Sequence, residues 1–370
     1  MTLGASLRRR AAGMLLATLV ASLALAGCGG RTGPGASGEP GAQQAPAQTG
    51  ENPASEGQQG LTGPIVIYSG RSEELIGPVL KRFTETTGID VQVKYGDTAA
   101  LAATILEEGD RSPADVFFAQ DAGALGALAK AGRFTRLPDH ILNKVAPRFR
   151  SPEGYWVGTS GRARVVAYNV DRVDPAELPE TIWGFTDPKW KGRIGWVPTN
   201  ASFQAFVTAL RVLESEDKAR EWLQGILKNE PRAYENNTAA LQAVADGEVD
   251  VAFINHYYLY RFLKEHGEGF KARIHFMTGG DAGALVNVAG VGVLKTAKHQ
   301  EAAFKLVEWL LSEEAQRMVV QENGEYPLIP GVEPPFDLPP LDQLKTPDLD
   351  LSDLDSLEET LNLLREVGAL

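Results

Sequence analysis

One order of parts occurs twice in the sequence: a helical pattern, an acidic turn that contains glycine, and a short apolar strand. The first copy spans residues 101–117 and the second spans residues 241–253. Two copies so far apart do not form a short-period array, and they predict one structural unit in each of two lobes. The residues after the two strands, Gln120-Asp121 and Asn255-His256, then hold corresponding positions and line one cleft if the lobes face each other.

Strands and helices alternate through the rest of the folded body, which predicts an α/β fold. Apolar, β-branched runs mark the strands, which are expected at residues 65–68, 90–95, 114–119, 165–169, 192–197 and 287–294. Helical spacing of apolar residues fills most of the intervals. Such alternation predicts mostly parallel sheets flanked by helices.

The sequence also predicts the bounds of three helices. Proline is tolerated in a first helical turn, so Gly77-Pro78 places the start of the first helix at Pro78 and leaves residues 72–76 as an exposed turn. Residues 301–320 carry one long apolar stripe and are predicted to form a single helix. Residues 354–367 predict an amphipathic helix within an acidic C-terminal segment, residues 341–370, to which we assign no site.

The first 28 residues have the pattern of a bacterial secretory signal. Three arginines, Arg8 to Arg10, precede an apolar run at residues 14–26 that is too short to span a membrane. The run ends in Leu25-Ala26-Gly27-Cys28, which resembles the lipobox of bacterial lipoproteins. Cys28 is the only cysteine of the chain, and we expect it to carry a lipid that anchors the protein to the outer face of the cell membrane.

Residues 29–60 are rich in Gly, Ala, Pro, Gln and Ser, which predicts a disordered tether. The folded body that follows is long enough for two domains. We expect residues 61–163 plus 288–340 to form lobe 1 and residues 164–287 to form lobe 2. The net charge of −12 argues against nucleic acid as a partner, and we expect a monomer.

Two adjacent tyrosines follow the apolar run at residues 249–254, and they are the first candidates for a metal site. The phenolate oxygens of Tyr257 and Tyr258 would be hard anionic ligands, which select a highly charged cation such as Fe(III). A free tyrosine titrates near ~10, so the cation itself has to drive off both protons at pH 7. The alternative is ordinary packing, because Tyr257, Tyr258, Tyr260 and Phe262 also have the spacing of an aromatic helix face.

A second candidate site lies at Asn200-Ala201-Ser202, which opens the helix that runs through Leu213. Small polar residues at a helix start leave backbone N–H groups free to hold an anion. A plain N-cap by Asn200 or Ser202 explains the same residues. The turn alone does not decide between the two roles.

Short motifs occur in a fixed order between residues 65 and 335. They are Tyr68-Ser69-Gly70-Arg71, Glu107-Glu108-Gly109-Asp110, Pro113-Ala114-Asp115-Val116-Phe117, Ser160-Gly161-Arg162-Ala163-Arg164, Trp190-Lys191-Gly192, Asn255 with Tyr257-Tyr258, Asp281-Ala282-Gly283-Ala284-Leu285-Val286, and Tyr326-Pro327-Leu328. In this order they make the chain resemble the ferric-iron-binding proteins of bacterial ABC importers.

This resemblance implies a two-lobed periplasmic-binding-protein fold of the type II kind, with a mixed sheet in each lobe, that closes over one Fe(III). Members of the family bind the ion through consecutive tyrosines and a synergistic anion such as phosphate or carbonate, which implies Tyr257 and Tyr258 as ligands. The anion would then lie at Asn200, Ala201, Ser202, Asn237 and Asn255. The resemblance also implies delivery of Fe(III) to an ABC transporter permease and no catalysed reaction.

The chain departs from the family pattern where many members supply a histidine and a glutamate. Ser72 stands at the histidine position and Gln120 at the glutamate position, and neutral side chains are poor ligands for a trivalent cation. Glu73 is the first carboxylate to consider as a substitute ligand, although it also suits a helix start, where it complements the dipole. Ser72, Gln120 and Arg162 are expected to line the cleft.

Two other functions stay open at this point. A binding protein for a phosphonate, a polyamine or a sugar would use Tyr257 and Tyr258 to stack on its ligand. An extracytoplasmic hydrolase would need a nucleophile with its base, or paired carboxylates. The sequence has no serine elbow motif and no histidine-rich metal box, which makes a hydrolase the poorer alternative.

Overall fold

The computed structural model of the chain describes residues 63–370. The predicted signal of residues 1–28 with Cys28, and the tether of residues 29–60, lie outside the described residues. None of the helices within residues 63–370 has the length and apolarity that a membrane span requires.

The strands of the described residues form one mixed sheet. They are β1 Ile65–Ser69, β2 Val91–Tyr95, β3 Val116–Ala119, β4 Val157–Asn169, β5 Ile194–Trp196, β6 Arg232–Ala233, β7 Val251–Asn255, β8 Ala272–His275 and β9 Val286–Val293. Their order is β2-β1-β3-β9-β4-β7-β5-β6, with β8 paired to β4. The strands within the groups β2-β1-β3 and β7-β5-β6 are parallel, whereas β4, β8 and β9 pair antiparallel.

Helices cover the sheet, as the alternation of patterns predicts. They are α1 Glu73–Thr87, α2 Thr98–Glu108, α3 Ala122–Lys130, α4 Asp139–Leu142, α5 Ala201–Glu214, α6 Glu216–Lys228, α7 Asn237–Ala245, α8 Tyr257–His266, α9 Gln300–Leu310, α10 Glu313–Asn323 and α11 Leu357–Glu366. The predicted α/β class with mixed sheets is confirmed.

Strand β4 joins the two parallel groups. Its first half pairs with β9, which in turn pairs with β3, and its second half pairs with β7 and β8. The change of partner falls between Ala163, which faces Val286 of β9, and Arg164, which faces Asn255 of β7. The lobe boundaries at residues 163/164 and 287/288 stay a prediction.

The repeated unit of the sequence forms α2 with β3 in one group and α7 with β7 in the other. The glycines of the two acidic turns, Gly109 and Gly247, have φ of 56° and 74°, a backbone conformation that glycine adopts without strain. Because the two units match, the carboxyl ends of β3 and β7 are equivalent positions, with Gln120 just after β3 and Asn255 the last residue of β7. The fold therefore places Gln120 and Asn255 as the repeat predicts.

The predicted start of the first helix is wrong. Helix α1 begins at Glu73, and Pro78 lies inside it. Ile76 is buried on the same face as Val79, Leu80 and Phe83. Burial of that side chain holds the first turn in helical geometry and outweighs the one backbone hydrogen bond that proline removes.

The single helix predicted for residues 301–320 is also wrong, because the chain forms α9 and α10 there with a break at Leu311-Ser312. Ser312 is the N-cap of α10 and starts a new helix, since its Oγ accepts a hydrogen bond from the N–H of Ala315 at 3.2 Å. An apolar stripe alone does not show such a break, because both helices bury the same kind of face.

The C-terminal segment crosses from α3 to α5. A 3₁₀ turn at Leu351–Asp355 packs its backbone on α3, where a Cβ added to Gly126 would lie 2.2 Å from the carbonyl oxygen of Ser352. Farther along, the hydroxyls of Thr360 in α11 and Thr208 in α5 share a hydrogen bond of 2.7 Å. The acidic segment predicted from the sequence therefore packs on α3, which follows β3, and on α5, which follows β5.

We expect Gly126→Ala to lower the free energy of unfolding by about 1–3 kcal/mol, because overpacking against Ser352 outweighs the gain in helix propensity. Urea unfolding measures the change. Gly269→Ala is the matched control, since nothing lies within 4 Å of a Cβ added there. Equal stability of the two variants would contradict a tight contact between α3 and the C-terminal segment.

Candidate metal and anion site

Strand β4 brings two arginines to one face of the sheet. Side chains two residues apart on a strand share a face, so Arg162 and Arg164 point the same way. The strand register places Asn287 of β9 opposite Arg162 and Asn255 of β7 opposite Arg164. These four side chains, with Ser202 and Leu285, line a cavity of about 10 Å³, which is room for about one water molecule.

Arg164 is a buried cation whose hydrogen-bond partners are neutral. It is 4% exposed, and it donates to the carbonyl oxygen of Phe253 at 3.0 Å and to the hydroxyl of Ser202 at 3.4 Å. Burial lowers the pKa of Arg164 to about 9, so the guanidinium is charged at pH 7. A buried charge without a counter-charge is costly. An anion bound in the adjoining cavity would supply that counter-charge.

The predicted anion residues gather at the start of α5. Asn200 caps the helix, and its Oδ1 accepts from the backbone N–H of Ser202 at 2.9 Å and from the Ser202 hydroxyl at 2.6 Å. The amide nitrogen of Asn237 lies 3.3 Å from the same Oδ1 and 3.4 Å from the Ser202 hydroxyl. Ala201 is the first residue of α5, and Asn255 lines the cavity with Ser202. Asn200 therefore caps α5, and the polar side chains of Ser202 and Asn237 gather at the same helix start.

Tyr257 and Tyr258 open α8 directly after β7, and their hydroxyl oxygens are 3.3 Å apart. Hard cations that hold oxygens at about 2.0–2.1 Å separate neighbouring ligands by about 3 Å, so this pair fits one ion. Asn255, the strand partner of Arg164, lies two residues before Tyr257 and lines the cavity, so α8 starts next to the cavity. Their ring centroids are 4.5 Å apart, so the two rings also pack on each other.

Tyr257 is protonated at pH 7. Burial, and then the neighbouring Tyr258, raise the pKa of Tyr257 above its ordinary value, although Arg162 lowers it. A cation that binds the phenolate oxygen must therefore displace the proton.

His256 fixes the start of α8. Its backbone N–H donates to the carbonyl oxygen of Ala163 at 3.0 Å, and its Nδ1 accepts from the N–H of Ala163 at 3.1 Å. Burial lowers the pKa of His256 to about 4, so the imidazole is neutral at pH 7. The residue before Tyr257 is thereby tied to β4.

The candidate site residues from the first half of the chain do not lie together. Ser72 and Glu73 are exposed at the start of α1. Burial of Tyr95 raises the pKa of its phenol, and the carboxylate of Glu73 raises it further. Gln120 lies at the site, where its carbonyl oxygen accepts a hydrogen bond from Arg162. Among residues 63–370, no three His, Cys, Asp or Glu side chains form a group that could hold a metal ion. Tyr257 and Tyr258 therefore stay the candidate metal ligands of this part of the chain, as the sequence predicts.

Sequence reasoning missed Glu325 and the role of Arg71. Arg71 and Glu325 are 1% and 2% exposed and form an ion pair of 2.9 Å, and Ser160 donates to the same carboxylate at 2.5 Å. Although burial opposes it, Arg71 and then Arg162 hold the pKa of Glu325 below its ordinary value. Asn287 was missed as well, and only the register between β4 and β9 brings it to the site.

The fold and the site are those of a solute-binding protein. The chain matches the family described as bacterial extracellular solute-binding protein over residues 79–343, and it belongs to that family. Members of this class bind solutes and are not enzymes. The family and fold that the motifs predict are confirmed.

Named relatives and solved structures are similar over most of their length. The major ferric iron-binding protein of Neisseria meningitidis serogroup B is 37% identical over 307 residues, which is 82% of this chain and 92% of that protein. Iron-bound HitA from Pseudomonas aeruginosa is 39% identical with a TM-score of 0.75, covering 82% of this chain and 99% of that one. The Trichodesmium protein IdiA (FutA), in complex with iron and citrate ligands, is 33% identical with a TM-score of 0.74, covering 83% and 99%.

Proposed function

We propose that this chain captures Fe(III) outside the cytoplasm for an ABC importer. The observation that carries the proposal is the Tyr257–Tyr258 pair, whose two phenol oxygens lie 3.3 Å apart and which follows Asn255, the strand partner of the buried Arg164. The name of the meningococcal relative and the iron-bound Pseudomonas structure support the same cargo. Fe(III) is bound as the transported solute, and the protein performs no reaction on it.

A synergistic anion, phosphate or carbonate, completes the site in this proposal. Arg164 supplies positive charge, the first turn of α5 at Asn200, Ala201 and Ser202 supplies N–H groups, and the amides of Asn237 and Asn255 add hydrogen bonds. The anion then offers Fe(III) the oxygen ligands that two phenolates do not provide. The Trichodesmium structure contains citrate, so an organic carboxylate is a third anion to test.

Capture depends on closure of two lobes in this proposal. The tyrosines follow β7, whereas Arg71 and Gln120 follow β1 and β3, so the two sides of the cleft come from different strand groups. Affinity for Fe(III) is then highest in the closed state, and a permease that opens the lobes lowers it.

The predicted lipid on Cys28 and the tether of residues 29–60 would hold the folded body at the outer face of the membrane. A monomer anchored there reaches an ABC transporter permease without diffusing away from the cell. This part of the proposal rests on the sequence pattern of the N-terminal residues.

Titration of the purified chain with Fe(III) citrate, in the presence of phosphate or bicarbonate, tests the cargo. Ferric tyrosinate has a visible charge-transfer band, so the protein should become coloured and the colour should saturate at one ion per chain. Absence of colour with phosphate, bicarbonate and citrate alike would overturn the proposal. Thermal stabilisation by a phosphonate, a polyamine or a sugar would then favour the organic-ligand alternative.

A further inference from the structure

The side chain of Gln120 is held in one orientation. Nη1 of Arg71 lies 3.1 Å from Oε1 of Gln120. A guanidinium only donates hydrogen bonds, so the amide atom that faces Arg71 has to be the oxygen. The amide nitrogen, Nε2, therefore faces away from Arg71.

Arg71 cannot turn away from this contact without breaking a buried ion pair. Its two terminal nitrogens donate to the two carboxylate oxygens of Glu325 at 2.9 and 3.2 Å, and both residues are almost fully buried. Such bidentate geometry fixes the plane of the guanidinium. Glu325 thus determines, through Arg71, which atom of Gln120 is free.

The backbone of Gln120 is held as well. Arg162 donates to its carbonyl oxygen, and Arg162 lines the cavity next to Arg164 and Asn255. Gln120 is partly exposed, and the hydrogen bonds among residues 63–370 use its Oε1 but not its Nε2. An amide N–H₂ group donates two hydrogen bonds and has no lone pair to offer a cation, so it suits an anion and not Fe(III).

We propose that Gln120 binds the anion and not the metal, and that Arg71 and Glu325 are positioning residues that keep its amide nitrogen free. This inference rests on the proposed function and specifies its ligand. The β1 and β3 side of the cleft contributes hydrogen-bond donors, and the protein ligands of Fe(III) come from the β7 side. The cargo is then an Fe(III)–anion unit whose anion lies between the ion and Gln120.

Gln120→Leu and Gln120→Glu test this assignment through the anion dependence of iron binding. Both changes remove the donor, so each should raise the phosphate or bicarbonate concentration for half-maximal colour by about 10-fold or more. At saturating anion the wavelength of the band should stay the same, because the tyrosine ligands remain. A merely structural role of Gln120 would change the melting temperature without moving the anion dependence, and that result would overturn the inference.

The two variants also separate an anion donor from an empty metal position. If Gln120 occupied a metal position, Gln120→Glu would strengthen Fe(III) binding and reduce the need for anion, which would overturn the inference. Glu325→Gln retains the shape of the side chain but removes its charge, and it should shift the anion dependence in the same direction as Gln120→Leu. Glu74→Gln, which removes an exposed carboxylate of α1, is the control and should change neither.

Failure of this inference is distinguishable from failure of the proposed function. An unaltered protein that stays colourless with every anion overturns both. An unaltered protein that becomes coloured, together with Gln120 variants of unchanged anion dependence, overturns only the role of Gln120. If Glu325→Gln does not fold, the two Gln120 variants carry the test alone, because Gln120 is partly exposed.

Discussion

Tyr258→Phe is expected to weaken strongly the visible colour of the iron-loaded protein, because only the phenolate of Tyr257 remains, and to weaken Fe(III) binding by more than about 100-fold. Loss of a residue that only supports a ligand typically costs 10–100-fold in metal affinity, and loss of an anionic ligand to a trivalent cation costs more. Competition with citrate, followed by absorbance, measures the affinity. The phenylalanine ring can retain the packing of Tyr258 on Tyr257, so the fold should be preserved.

Tyr260→Phe is the matched control for this experiment. Tyr260 lies in the same helix, but its hydroxyl faces the carbonyl oxygen of Gln321 at 3.5 Å and its ring packs on Phe336. Removing that hydroxyl should leave both colour and affinity unchanged. Equal losses in Tyr258→Phe and Tyr260→Phe would mean that α8 as a whole, and not the phenolate of Tyr258, controls binding.

Glu73→Ala completes the set, because it tests the one carboxylate that the sequence offers next to Ser72. The side chain of Glu73 is exposed, and its carboxylate adds to the effect of burial that raises the pKa of Tyr95. Unchanged Fe(III) affinity would remove Glu73 from the site and leave the β1 side without an anionic ligand. A loss comparable to that of Tyr258→Phe would show that the first turn of α1 reaches the metal when the lobes close.

Local patterns predicted most of the fold. The sequence predicts seven strands and the repeated helix–turn–strand unit, because burial of a strand shows in its own residues and glycine marks the turns at Gly109 and Gly247. It does not predict β6, β8 or the first half of β4. The start of α1 and the break at Ser312 were not found. The start of α1 depends on the tertiary burial of Ile76, which outweighs the local effect of Pro78. The break depends on the single cap by Ser312 inside an otherwise continuous helical pattern.

The candidate site was predictable only in part, for a related reason. Tyr257, Tyr258 and the turn at Asn200 stand out because they are unusual residues at element ends. The ion pair of Arg71 with Glu325 joins residues 254 positions apart, and no local pattern signals such a contact. Strand register brings Asn287 next to Arg162, and register becomes known only when the sheet is known. The orientation of Gln120 follows from that pair, so the sequence alone shows only a neutral residue at the glutamate position.

Fe(III) affinity is expected to rise with pH, by up to about 100-fold per pH unit between pH 5 and pH 7. Burial and the neighbouring Tyr258 raise the pKa of Tyr257, so its proton is present throughout this range. Each proton that the metal displaces makes the binding constant ten times larger per unit of pH, and two phenols release two protons. Acidification therefore weakens binding.

Direct measurement of proton release avoids the pH dependence of the competing chelator. Calorimetry in buffers of different ionisation enthalpy should give one proton fewer per Fe(III) for Tyr258→Phe than for the unaltered protein, since the protons exchanged by the chelator and the anion are the same in both titrations. His256 should not contribute, because burial lowers its pKa to about 4 and it is neutral across the range. Affinity that does not change with pH would mean that neutral oxygens bind the cargo.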